Sequence, residues 1–447
     1  MSGAAAVCAL SGTAPGQTSP DYRLDIASTT LELSPRVRIR TTAYNGQSPG
    51  PLLRFKEGQA VTIEVTNRTN RPEVVHWHGL FLPPSVDGAI EEGTPAIAPG
   101  AVARYTFIPQ PRGFRWYHTH VMAMDDLTRG QYSGQHGPLL IDPRDDLGRY
   151  DQEFVISLHD WQARVSASED GSMNLSYEVS TVNGRTLGSD EPLRVREGQR
   201  ILLHVLNTSP TEPHWLAFAG HAMRVVALDG NAVPAPKEVP MLRLAPAERV
   251  CALVDMTNPG VWVLGEVRKH VYSAGMGVIV EYAGRSGAPR WDQPARLLWN
   301  YEQFSAAKEP GPTPAETINI PLVFESVFHG HGGMESWTIN GKSFPETSAA
   351  PLSQGKRYRL KFVNRSSDDH PLHLHRHSFE LRSLGAPLDA RATPARSGRG
   401  IIKDVVLVDA QTQAEVEFTA DHPGPSLFHC HQQDHMDRGF MLLFNYA

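Results

Sequence analysis

Apolar and polar residues alternate with period two in three segments of the same build: 61–67 (VTIEVTN), 201–207 (ILLHVLN) and 358–364 (YRLKFVN). Such alternation puts every second side chain on one face of a strand. An Asn-Gly turn signal precedes each segment, at 45–46, 183–184 and 340–341, followed by Gly58, Gly198 and Gly355. From each of these last glycines to the closing asparagine the step is nine residues: 58 to 67, 198 to 207 and 355 to 364. A turn running into a strand ends each unit: PRGFRWYHTH at 111–120, PGVWVLGEV at 259–267 and PGPSLFHCH at 423–431. A period of about 140–160 residues is too long for a solenoid and right for tandem domains. The pattern predicts an all-β chain of three antiparallel Greek-key β-sandwich domains, at 21–145, 146–300 and 301–447, behind a flexible segment at 1–20. The boundaries fall near Asp145 and in the Pro-, Gly- and Ala-rich stretch 284–314.

Composition narrows the function. Of 447 residues, 40% are hydrophobic and 20% charged, which is too apolar for a disordered chain. A net charge of -6 argues against nucleic acid as a partner, because phosphate binding needs a basic patch. No run reaches the ~18 apolar residues of a membrane span. The apolar patch at 4–10 (AAAVCAL) has no basic residues before it and reads as a loose terminus, not an intact signal peptide. Three cysteines exclude a disulfide scaffold, and Cys8 and Cys251 are expected unpaired.

The 20 histidines are clustered. His76 and His78 stand nine and eleven residues after Asn67, and His373 and His375 stand nine and eleven after Asn364. His118 and His120 lie five and seven residues after Gly113, and His429 and His431 five and seven after Gly424. The middle unit has Leu216, Phe218, Gly265 and Val267 at the same offsets. One His-x-His is commonly a polar strand face; four in register across two repeats and absent from a third are not. Residues i and i+2 of a strand share a face, so each pair aims two imidazoles one way. Two such units face to face would converge eight imidazoles, more than one tetrahedral ion takes and suited to a cluster of about three. Cys430, between His429 and His431, points to the opposite face, with His370 and His435 nearby. His-Cys-His is the ligand set of a blue-copper electron-transfer site.

The motifs HWHG (76–79), HTH (118–120), HPLHLH (370–375) and HCHQQDHMDRGFM (429–441) resemble the four copper motifs of the multicopper oxidases, in the three-domain, laccase-like bacterial branch. The resemblance spans about residues 21–447 and implies cupredoxin-like domains and four copper ions. His370, Cys430 and His435 would bind type 1 copper. His76 and His373 would bind type 2, and His78, His118, His120, His375, His429 and His431 the type 3 pair. The implied chemistry is four one-electron oxidations of a donor coupled to reduction of dioxygen to water. Asp87, nine residues after His78, matches the proton-relay aspartate of bacterial relatives. Family habit and the scarcity of cytosolic copper imply the periplasm or the exterior, and a monomer is expected.

Two positions depart from the family pattern. Phe440 stands where Met is frequent, so the type 1 copper is expected to lack an axial ligand and to have a raised potential. Met441 is next to it, on the other face unless a bulge intervenes. Met436 replaces a second relay carboxylate, with Asp437 as the candidate substitute. His329 and His331 (HGHGGM) read as a mobile loop, and His136, His159, His204, His214, His221, His270, His377 and His422 as ordinary. The expected donor is a phenol or aromatic amine. A metal-ion oxidase of Cu(I), Fe(II) or Mn(II) is the alternative and would need carboxylates or methionines beside His370 and His435. A non-enzymatic copper-binding scaffold is disfavoured because every ligand is present.

Overall fold

The structure, a computed structural model, describes residues 19–142, 149–167, 173–294, 299–306, 317–327, 335–348, 351–388 and 396–446. Strands dominate at 53%, and the α-helices among the described residues run only four or five residues. Each repeat supplies two facing sheets. In the first, Tyr22–Ser34, Val37–Tyr44, Val61–Asn67 and Val102–Phe107 form one sheet, and Leu53–Lys56, Val75–His76, Gly113–Thr119 and His136–Asp142 the other. The strand Val61–Asn67 shows why: its odd residues are buried and its even ones half-exposed, as its alternation requires.

The sandwiches are not purely antiparallel. Tyr22 pairs in parallel with Ile63, Ile201 with Gln152 and Thr317 with Arg357. The first strand of each unit lies beside a strand reached only after the chain has visited the second sheet, so the two arrive running the same way.

The repeated sequence signals have repeated physical jobs. Asn45, Asn183 and Asn340 adopt φ of 51°, 50° and 53°, each followed by a glycine at 71°, 75° and 76°, as a type I′ turn demands. Asn67, Asn207 and Asn364 are fully buried loop clasps. Asn67 donates to the carbonyls of Arg71 and Ile97 and accepts from Thr69 N–H. Asn207 does the same with Glu212, Leu244 and Ser209, and Asn364 with Asp368, Val408 and Ser366. Each clasp fixes the loop that delivers the chain to the strand nine residues on.

Apolar burial ties the units together, at ~1.5–3 kcal/mol for each large side chain fully removed from water. The middle and third units share one continuous core from Ile156 to Phe444. Phe114, Trp116 and Leu140 of the first meet Leu206, Ala247 and Cys251 of the second and Val405 of the third. Ala89 packs with Leu427, Met436 and Met441. First and third units are thereby clamped face to face.

Candidate metal centres

Within the first unit His76 lies directly opposite His118, and within the third His373 lies opposite His429. In the middle unit Leu216 pairs with Glu266, one residue beyond the position given by counting from Gly260. All eight histidines of the four His-x-His pairs are buried, and they meet in one pocket: the His78 ring stacks on His373 at 3.8 Å and the His76 ring on His375 at 4.0 Å.

The pairs do not act as units of one face. His76, His118, His373 and His429 lie inside strands, whereas His78, His120, His375 and His431 lie just past the strand ends. Each His-x-His therefore sends its two rings to different groups. His78, His118 and His431 form one triad, His120, His375 and His429 a second, and His76 and His373 sit between them, with ligand atoms within 4.8 Å inside each group. Within the second triad the Nε2 atoms of His375 and His120 lie 3.1 and 3.4 Å from that of His429.

The donor chemistry fits metal ions. His76 Nδ1 donates to the Asp87 carbonyl at 2.9 Å, His118 Nδ1 to Thr119 O at 2.8 Å, His373 Nδ1 to Asp404 O at 2.7 Å and His429 Nδ1 to Cys430 O at 2.8 Å. His375 Nδ1 donates to Asp87 Oδ2 at 2.9 Å, and His78 Nε2 to Asp404 Oδ1 at 3.2 Å. These bonds fix tautomers and leave His76 Nε2, His78 Nδ1, His118 Nε2, His373 Nε2 and both nitrogens of His431 buried with no hydrogen-bond partner among the described residues. Orphaned, inward-facing imidazole nitrogens with their other edge tied down are a metal-ligand arrangement. Burial holds His78, His118, His120, His373, His375, His429 and His431 well below the ordinary imidazole pKa, which favours the neutral form that can ligate a metal.

Asp87 ends a short helix, Pro84–Asp87, and the next residue must be glycine. Gly88 has φ of 105°, and a Cβ there would stand 2.0 Å from Val75 O and 2.3 Å from His76 Cα. That close approach brings the Asp87 carboxylate to both His76 (3.1 Å) and His375. Two carboxylates at the cluster were not legible in the sequence. Glu92 Oε1 lies 3.5 Å from His375 Nδ1, and burial beside Asp87 pushes its acid well up. Asp404 is gripped by Arg249 of the middle unit at 2.6 Å through both oxygens and by Arg115 of the first at 3.1 Å. Neither has a spacing signature; tertiary packing alone brings them in. Asp437 points elsewhere, accepting from the backbone N–H groups of Ala123 and Met124 and from Gln433. It holds a loop, and the acids that reach the cluster are Asp87, Glu92 and Asp404.

The second centre lies in the third unit. Cys430 Sγ is 3.5 Å from His435 Nδ1 and 3.8 Å from His370 Nδ1, and the two Nδ1 atoms are 3.2 Å apart. Ser366 Oγ meets His370 Nε2 at 2.8 Å and orients that ring. The Phe440 ring stands 4.7 Å from His370, with Trp337 4.0 Å from His435. Met441 turns away into the apolar cluster with Met436, so no bulge brings its sulfur to the site. Beside His435 opens a pocket of about 410 Å³ lined by Glu212, Asp368, Asp369 and Asp434 among prolines and leucines. His329 and His331 lie outside the described residues, as does the question of whether Cys8 pairs with Cys251.

Models of the multicopper oxidase family match residues 25–146, 152–274 and 320–447. The chain belongs to the multicopper oxidase family. It is an oxidoreductase of cupredoxin-like fold, in a family that binds copper and uses dioxygen and an electron donor. It is 28% identical to the multicopper oxidase MmcO of Mycobacterium tuberculosis, over 99% of this chain and 94% of the relative. It is 27% identical to the bilirubin oxidase of Albifimbria verrucaria, over 96% of this chain and 77% of that one. The crystal structure of the multicopper oxidase from Pseudomonas thermotolerans superposes with a TM-score of 0.72 at 26% identity, covering 96% of this chain and all of that one. As a multicopper oxidase the chain brings the histidines that could hold metal from its first and third units, while the middle unit contributes Arg249.

Proposed function

We propose that this multicopper oxidase is laccase-like, oxidising phenols or aromatic amines one electron at a time and reducing dioxygen to water. The juxtaposition that supports it is Cys430, whose side chain faces His370 and His435 while its chain neighbours His429 and His431 belong to the histidine pocket. His370, Cys430 and His435 would hold one copper, His76 and His373 a second, and the two triads the remaining pair. When bound, these four ions supply one-electron exchange with the donor and the collected four electrons that dioxygen reduction needs. The backbone from Cys430 to either flanking histidine is the shortest covalent link between the two sites.

The residues around the ions do the rest. Asp87, between His76 and His375, accepts from His375 through Oδ2 and has its Oδ1 buried with no partner among the described residues, from which it relays protons into the pocket. Glu92, whose acid is pushed well up by burial beside Asp87, stands behind it as a reserve. His435 presents its edge to the acidic pocket, whose volume admits a single aromatic ring and whose carboxylates accept a phenolic O–H or an aryl N–H. Phe440 offers no donor atom, which favours a high potential and hence organic donors.

The carboxylates of Glu212, Asp368, Asp369 and Asp434 also favour a second reading, oxidation of Cu(I), Fe(II) or Mn(II). Oxygen uptake measured in parallel with a phenol, Cu(I) and Fe(II) decides between them. Faster turnover of the phenol is expected; a kcat/KM for either ion tenfold above it would transfer the assignment. We place its work in the periplasm or outside the cell, on the scarcity of free copper in cytosol.

A further inference from the structure

A cavity of about 880 Å³ lies between the first and middle units, and none of the candidate metal-centre residues lines it. Cys251 and His204 are cross-strand partners on its wall. His204 Nδ1 stands 3.3 Å from Cys251 Sγ, and its Nε2 stands 3.3 Å from Glu153 Oε2. Glu153 is in turn held by Arg54. A thiol, an imidazole against it and a carboxylate behind the imidazole are the ordered parts of an activated nucleophile. Burial opposes a charge on His204, but Cys251 and Glu153 outweigh it and raise its pKa to about 9. Among the lining acids Asp142 and Glu153 are engaged by Arg54, and the other charged lining residues besides His204 are Glu57, Arg112 and Arg149, two cations to one acid.

We propose that Cys251 is a reactive thiol, set up by His204 and Glu153, that exchanges with small carboxylate-bearing disulfides entering this cavity. The Cys251 thiolate attacks one sulfur of the disulfide. A bond forms from that sulfur to Cys251 Sγ, and the original S–S bond breaks. The electron pair leaves on the second sulfur, which takes the proton of His204 Nδ1. The disulfide is the oxidant, so no other reactant is needed.

The test uses the copper-loaded full chain carrying Cys8→Ser, with 5,5′-dithiobis(2-nitrobenzoate) as probe and peptide mapping to locate the modified residue. Labelling of Cys251 is expected to be nearly constant in rate from pH 6 to 8. An ordinary thiol of pKa ~8.5 slows about tenfold per pH unit below that value. His204→Gln is expected to slow labelling at pH 6 at least tenfold and to restore the ordinary slope; Glu153→Gln is expected to act in the same direction, less strongly. Both variants should keep their oxygen uptake, which reports an intact fold. An unlabelled Cys251, an ordinary slope in the parent, or identical rates with His204→Gln would overturn the proposal. Dithiodipropionate reacting no faster than cystamine, its cationic counterpart, would overturn the ligand class.

Discussion

Phe440 sets a ring against His370 where, in the proposed mononuclear copper site, a thioether sulfur would otherwise reach the metal. A missing axial donor leaves Cu(II) less stabilised relative to Cu(I), which raises the potential. Phe440→Met is expected to lower the type 1 potential in a redox titration, and an unchanged potential would mean that another side chain is axial. Eight of the ten histidines were readable because His-x-His recurs at fixed offsets from Asn67, Asn364, Gly113 and Gly424, and His370 and His435 were readable beside Cys430. Asp404, Glu92 and the pairing of His204 with Cys251 were not, because their partners lie 326, 283 and 47 residues away and meet only after folding.

Each strand that carries a His-x-His pair ends between the two histidines. The strand Gly113–Thr119 holds His118 inside and releases His120 beyond its end, and Ser426–Cys430 does so with His429 and His431. Sequence alternation placed each pair on one face, but the strand ends divide each pair between neighbouring groups of the cluster. The buried asparagines Asn67 and Asn364 clasp the loops that lead into the other two strands, Val75–His76 and His370–Leu374. Asn364→Ala would strip partners from the carbonyls of Asp368 and Val408, at a cost of about 1–3 kcal/mol for a buried unsatisfied group. The expected outcome is that loss in urea unfolding together with a weakened type 1 absorbance, since His370 follows the clasped loop directly. Full stability would show that the clasp is dispensable.

At the scale of the molecule, the three repeats are held in place by buried charge as well as by apolar packing. Arg115 of the first, Arg249 and Asp229 of the second, and Asp404 and Lys403 of the third form one fully buried ionic cluster behind the histidine pocket. The triplication was legible in Asn-Gly turns and strand spacing, whereas the parallel pairings and this cluster depend on how sheets close. Burying so many neutral imidazoles has a pH signature. Burial lowers the folded-state pKa of His78, His118, His120, His370, His373, His375, His429 and His431, and holds His435 at about 3. Unfolding frees them to bind protons below ~6.5, so their contribution is present above that pH and is lost as pH falls. Burial works the other way on Glu73, raised to about 7, Asp434, to about 6, and Asp437, to about 7, but these acids are fewer. The urea midpoint of the copper-free chain is therefore expected to fall between pH 7 and pH 5; a flat or rising midpoint would mean that the imidazoles are not buried together. The most direct test of two wired centres is copper content with visible and near-ultraviolet absorption for Cys430→Ser beside the parent. The parent should hold four ions per chain and absorb strongly in the visible. The variant should keep three with the near-ultraviolet band of the cluster, lose its colour and stop oxidising phenols. Undiminished phenol turnover by the variant, or a parent with a single copper, would contradict it.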